Sequence, residues 1–198
     1  MKRFLIVLSV VLAISGAAFS QTASDKAKQS AATLDKMRQI DLLNHVLPLV
    51  MTKEQIRKLL PVIEKARRDV RTQEDLEAKI LGQYAAKVDK AVQDGIDKGD
   101  VPNKELLREL NAVIRTFTMQ RAAIASDNTD MVLEVVKTTL NSGQMKAAGN
   151  SLDFKLYNPN IKPEEVKDDD RLKLFIREIL LDPLAYDLLV KLQAGPRG

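Results

Sequence analysis

Few side chains in this sequence could do chemistry. His45 is the only histidine, and there is no cysteine. A zinc or copper site needs several converging nitrogen or sulfur ligands, so His45 alone implies no metal centre. No cysteine nucleophile, disulfide or lipid-anchored cysteine is available either. The acidic run Asp168, Asp169, Asp170 lacks the glycine and the twelfth-position Glu of a calcium loop. It reads as the N-terminus of a helix, where the dipole favours negative charge. No Gly-rich phosphate loop occurs, and no Ser-His-Asp set can be built around one imidazole. The residues point away from an enzyme and toward no cofactor.

The remaining signal lies in the elements. The chain opens with MKRFLIVLSVVLAISGAAFSQT. A basic start, an apolar run from Phe4 to Ile14 and small residues Ala18 and Ser20 before Gln21 predict a cleaved signal peptide over 1–20. The protein is then exported to the periplasm or beyond. No later segment is apolar enough to span a bilayer. Removing Lys2 and Arg3 leaves 29 basic against 27 acidic residues, so the formal charge falls from +4 to +2. That balance and the absence of Trp argue against nucleic acid as a partner.

Residues 21–33 are small and polar and are expected to be a flexible leader. The fold class is all-α. A short helix is predicted over 34–47, with Met37, Ile40, Leu43 and Leu47 as its apolar stripe and Pro48 ending it. A long helix starts at Thr52, kinks at Pro61, is open to a break at 71–75, and stops near Gly99. Another starts near Asn103, with a bend or a new start expected at 126–130, where Ser, Asp, Asn and Thr compete for backbone hydrogen bonds. The short link between them predicts an antiparallel hairpin within a 34–149 segment. In the extension 150–198, Asp170 is expected to cap a helix reaching Leu181. Asp182-Pro183 is expected to open a last helix, and both should pack on the hairpin or on a partner.

Two stretches repeat one logic. In MTKEQI, Thr52 is an N-cap, Gln55 completes a capping box, and Met51 and Ile56 form a hydrophobic staple. In LNSGQM, Leu140, Asn141, Gln144 and Met145 take the same places. As caps, Thr52→Ala and Asn141→Ala should each cost about 1 kcal/mol, and Gln55→Ala less.

With both copies, Met51, Thr52, Gln55 and Leu140, Asn141, Gln144, the chain resembles the LTxxQ-motif family, the Spy and CpxP group of small periplasmic helical proteins. Met replaces Leu in the first copy and Asn replaces Thr in the second. The resemblance covers about residues 34–149. It implies a helical hairpin, pairing into a homodimer, and an ATP-independent chaperone that holds unfolded envelope proteins. A CpxP-type regulatory partner in envelope stress is the alternative it implies. A structural, oligomerising module is a third reading.

The apolar stripes are open to two readings, buried core or a partner surface. In the second long helix, Arg121 and Asn128 interrupt the spacing of Phe117 and Ile124. These four residues are the candidate client surface, with Phe117 itself expected to be core.

Overall fold

The computed structural model describes residues 20–195 apart from residue 158, so the predicted signal peptide lies almost wholly outside the described residues. The fold is all-α, and no strand occurs among the described residues. Helix α1 spans Ser20–Val46, α2 Lys53–Lys98, α3 Lys104–Thr139, α4 Ser142–Gly149, α5 Phe154–Tyr157, α6 Asp168–Phe175 and α7 Ala185–Ala194. No described helix is long and apolar enough to cross a membrane.

The chain divides into a unit ending at Arg38 and a compact unit from Gln39 to Gly198. In the first, α1 is helical where a flexible leader was expected. Ala, Lys and Gln dominate this stretch, no Pro or Gly interrupts it, and these are helix-favouring choices. Its side chains from Lys26 to Arg38 are exposed. The predicted stripe of α1 is out of phase. Met37 and Ile40 are exposed, whereas Leu42, Val46 and Leu49 are buried. Pro48 falls inside a 3-10 turn, Leu47–Leu49, that ends the helix.

In the second unit, α2 and α3 form an antiparallel hairpin. Cross-helix pairs join Ala66 to Asn128, Gln73 to Gln120 and Lys87 to Glu109. Partners rise along α2 as they fall along α3, which only antiparallel helices allow. Gly99 caps α2 at φ 71°, a left-handed conformation that suits glycine. At 46 residues, α2 is about 70 Å long.

The break considered at 71–75 is absent, and Pro61 lies inside the continuous α2. Likewise α3 runs through 126–130 without interruption. There, the competing side chains find other partners. Thr129 Oγ1 donates to the Ala125 carbonyl at 2.7 Å, and Asn128 Nδ2 donates across to the Ala66 carbonyl at 3.2 Å. Neither takes a hydrogen bond from its own helix backbone N–H groups, so the helix persists.

The core lies at one end of the hairpin. Leu59 and Ile63 of α2 meet Val132 and Val136 of α3, all fully buried. The C-terminal extension completes it with Phe175, Ile176, Leu180 and Leu189. Here the caps differ from expectation. Asp168, Asp169 and Asp170 make the first turn of α6 and Lys167 precedes it, so Asp170 is not the cap. The helix then widens into a π-turn, Ile176–Leu180, where Leu181 N–H donates to the Ile176 carbonyl at 2.9 Å. Helix α7 begins at Ala185 rather than at Pro183. Asp182 still acts locally: its Oδ1 accepts from Leu184 N–H at 2.8 Å, one turn early.

Candidate functional site

Both predicted capping boxes form. Gln55 N–H donates to Thr52 Oγ1 at 3.1 Å, and Thr52 N–H donates to Gln55 Oε1 at 2.9 Å. Asn141 and Gln144 repeat this at 2.9 Å each way. Leu140 is buried, and Met51 and Met145 pack against the core as staples do.

The two boxes also face each other. Gln55 Nε2 donates to Gln144 Oε1 at 2.9 Å, and Gln144 Nε2 donates to Gln55 Oε1 at 3.0 Å. Each amide has a second donor. That of Gln55 reaches the Thr139 carbonyl, and that of Gln144 the Leu49 carbonyl, both at 3.0 Å. Both carbonyls belong to the chain just before the other box. The glutamine carboxamide supplies the two donors and the twice-used acceptor this requires; glutamate could not donate. The function of these two residues is architectural: they tie the start of α2 to the end of α3.

Beyond this base the hairpin becomes a two-helix arm with little core. Among the described residues from Arg67 to Met131, Phe117 is the one buried apolar side chain. Polar residues fill the seam instead. Glu77, only 3% exposed, takes both an Nε and an NH2 contact from Arg121, and Gln73 Nε2 donates to it at 3.0 Å. Gln73 also donates to Gln120 at 3.0 Å. The Arg121 hydrogen bond holds the Glu77 carboxyl below its ordinary range. Burial pulls the other way, and the Gln73 bond adds to the lowering. The same pairing raises the Arg121 guanidinium.

This arrangement places the four candidate surface residues. Phe117 and Asn128 are buried, Ile124 is half-buried, and Arg121 spends its guanidinium on Glu77. Phe117 and Asn128 thus lie in the α2–α3 seam, while Arg121 reaches Glu77 there with its side chain still 65% exposed.

An open apolar face lies beside that seam. Val70 of α2 and Ala125 of α3 line one cleft, so they share a side of the arm. Leu81 and Val92 follow Val70 at successive 11-residue steps, and Ile114 precedes Ala125 by another. Eleven residues are three turns, which returns a side chain to the same face. Leu107, a further 7 residues back, stays within about 20° of it. These five residues, Val70, Leu81, Val92, Leu107 and Ile114, are each 44–59% exposed. Ile96 and Val101, at the tip, are 77% and 87% exposed. Val70 and Val92 stand at the helical spacing of an α2 apolar stripe, which the sequence leaves open between core and partner surface.

His45 stands half-buried in α1 with its Nε2 3.7 Å from Asp41. Asp169 pairs with Lys137 at 2.6 Å and Asp130 with Lys173 at 2.7 Å, bracing α6 against α3. No family model matches this chain, and neither a curated protein nor a solved structure matches it.

Proposed function

We propose that this is an exported helical binding protein that holds unfolded polypeptide segments on the apolar face of its arm, without ATP. The observation that carries the reading is the row Val70, Leu81, Val92, Leu107 and Ile114, an apolar face left open beside a seam already satisfied by polar bonds. Exposed apolar side chains aligned along one side of a helical scaffold suit a partner site. Charged residues on the rest of the arm keep such a surface soluble. The paired capping boxes support the resemblance to the Spy group, and the signal-like first twenty residues support export. A chaperone of this kind works by mass action alone: it competes for apolar client segments with their self-association.

The test is suppression of aggregation of a chemically unfolded client, followed by light scattering in the absence of nucleotide. Suppression at near-stoichiometric ratio supports the reading. Unchanged scattering at a tenfold excess of the protein contradicts it.

A further inference from the structure

Two kinds of contact hold the hairpin along its length. At the base, Leu59, Ile63, Val132 and Val136 are fully buried in one core with Phe175 and Leu189 of the extension. Arg67 adds a further tie, stacking on the Tyr186 ring of α7 at 4.6 Å. From Gln73 outward the bonding changes. Among the described residues, the side-chain bonds that leave α2 there run to α3: Gln73 to Gln120, Glu77 to Arg121 and Lys87 to Glu109.

The arm is polar where its burial is deepest. On α2, Gln73 and Glu77 are buried, whereas Ile80, Tyr84 and Val88 are only half-buried. On α3, Leu106, Leu110 and Val113 are half-buried too, and Phe117 alone is buried among the arm's apolar side chains. Drawing the Glu77 carboxylate out of water offsets much of what its pairing with Arg121 gains. Half-buried apolar groups contribute only part of their transfer free energy. Segments with few buried apolar contacts open at a lower free energy than the whole fold.

The edge between the two regimes is narrow. Asn128 Nδ2 donates to the Ala66 carbonyl at 3.2 Å, and both residues are buried. One turn toward the base, Ile63 and Val132 are in the core; one to two turns the other way, Gln73 and Gln120 begin the polar seam. A helix this polar is marginal in water without a partner. Each arm helix therefore depends on the other, and losing the seam releases both.

We infer that the arm, residues 73–124, opens as one cooperative unit while the base stays folded, with the Asn128–Ala66 bond at the boundary. Opening uncovers an inner apolar set, Ile80, Tyr84 and Val88 facing α3 and Leu106, Leu110 and Val113 facing α2, that the closed arm half hides. This conformational device stands apart from the proposed function, and its test needs no client.

Hydrogen exchange of the whole protein at neutral pH, read by mass spectrometry, tests it. Amides of 73–98 and 104–124 should share one protection factor, at least a hundredfold below that of amides in 56–66 and 132–139. Equal protection in arm and base overturns the inference. So does protection that declines steadily toward the tip with no shared value, which is fraying. Phe117→Leu should lower arm protection at least threefold and leave the base unchanged; a matched fall in both overturns it. The triple variant Gln73→Leu, Glu77→Leu, Gln120→Leu replaces the polar seam with apolar groups and returns Arg121 to solvent. It should raise arm protection at least tenfold without altering the base. Arm protection that stays the same or falls would remove the polar seam as the cause and overturn the inference.

Discussion

Gln55 and Gln144 each donate to the other's side-chain oxygen, at 2.9 and 3.0 Å, while that same oxygen caps its own helix. The pair joins two helix starts 89 residues apart. Removing either amide strands a part-buried donor and acceptor on the other. Gln55→Ala and Gln144→Ala should each cost about 1–3 kcal/mol. That reverses the expectation from capping alone, in which Gln55 matters less than Thr52. A double-mutant cycle by urea denaturation should give a coupling of at least about 0.5 kcal/mol. Strict additivity would mean that the two boxes act independently.

The caps themselves are exposed and local. Thr52→Ala and Asn141→Ala should each lower stability by about 1 kcal/mol, seen as a matched drop in melting temperature. Thr52→Ser and Asn141→Asp keep the cap oxygen and should restore most of it. A melt in which neither alanine variant loses stability would remove the capping role.

The legible part of the fold was whatever depends on neighbours in sequence. Capping boxes, the Gly99 stop and the Asn103 start are set by residues within one turn, so their positions could be read directly. The new helix start considered at 126–130 does not occur, and Asn128 there bonds to Ala66 and not to its own backbone. The first stripe failed because Leu34, Met37 and Ile40 repeat as regularly as Leu42, Val46 and Leu49, and periodicity cannot say which face meets a partner. The open face of the arm was hidden for a similar reason. Glu77 and Gln73 occupy the seam that apolar residues usually fill, which leaves Leu81 and Ile114 beside it.

Phe117 and Ile124 separate the two readings of the α3 stripe. Phe117 is the arm's buried apolar side chain, so Phe117→Ser should destabilise by about 3–5 kcal/mol, as large-to-small core changes do. Ile124, half-buried, should cost clearly less. Equal melting temperatures for wild type and Phe117→Ser would contradict its place in the seam.

Glu77 gives the arm an acid dependence. Its folded-state pKa lies below the ordinary 4.5, through Arg121 first and Gln73 next, with Glu74 the neighbouring acid acting on Arg121. A lowered carboxylate stabilises fully above its unfolded value and loses that contribution as pH falls through the folded value. Protection factors of arm amides, which divide out the intrinsic slowing of exchange in acid, should therefore fall below about pH 4.5, and less so in Glu77→Gln. An identical acid response in both proteins would remove Glu77 as the cause.

In the proposed function, unfolded chains bind the face carrying Leu81 and Ile114. A photo-crosslinking residue placed at Ile114 tests it most directly, with the same group at Gln83 as reference. Gln83 is exposed and, two residues on from Leu81, turned about 200° away from it. With an unfolded client present and no nucleotide, strong crosslinking is expected from position 114 and little from position 83. Equal crosslinking from both, or more from position 83, would contradict it.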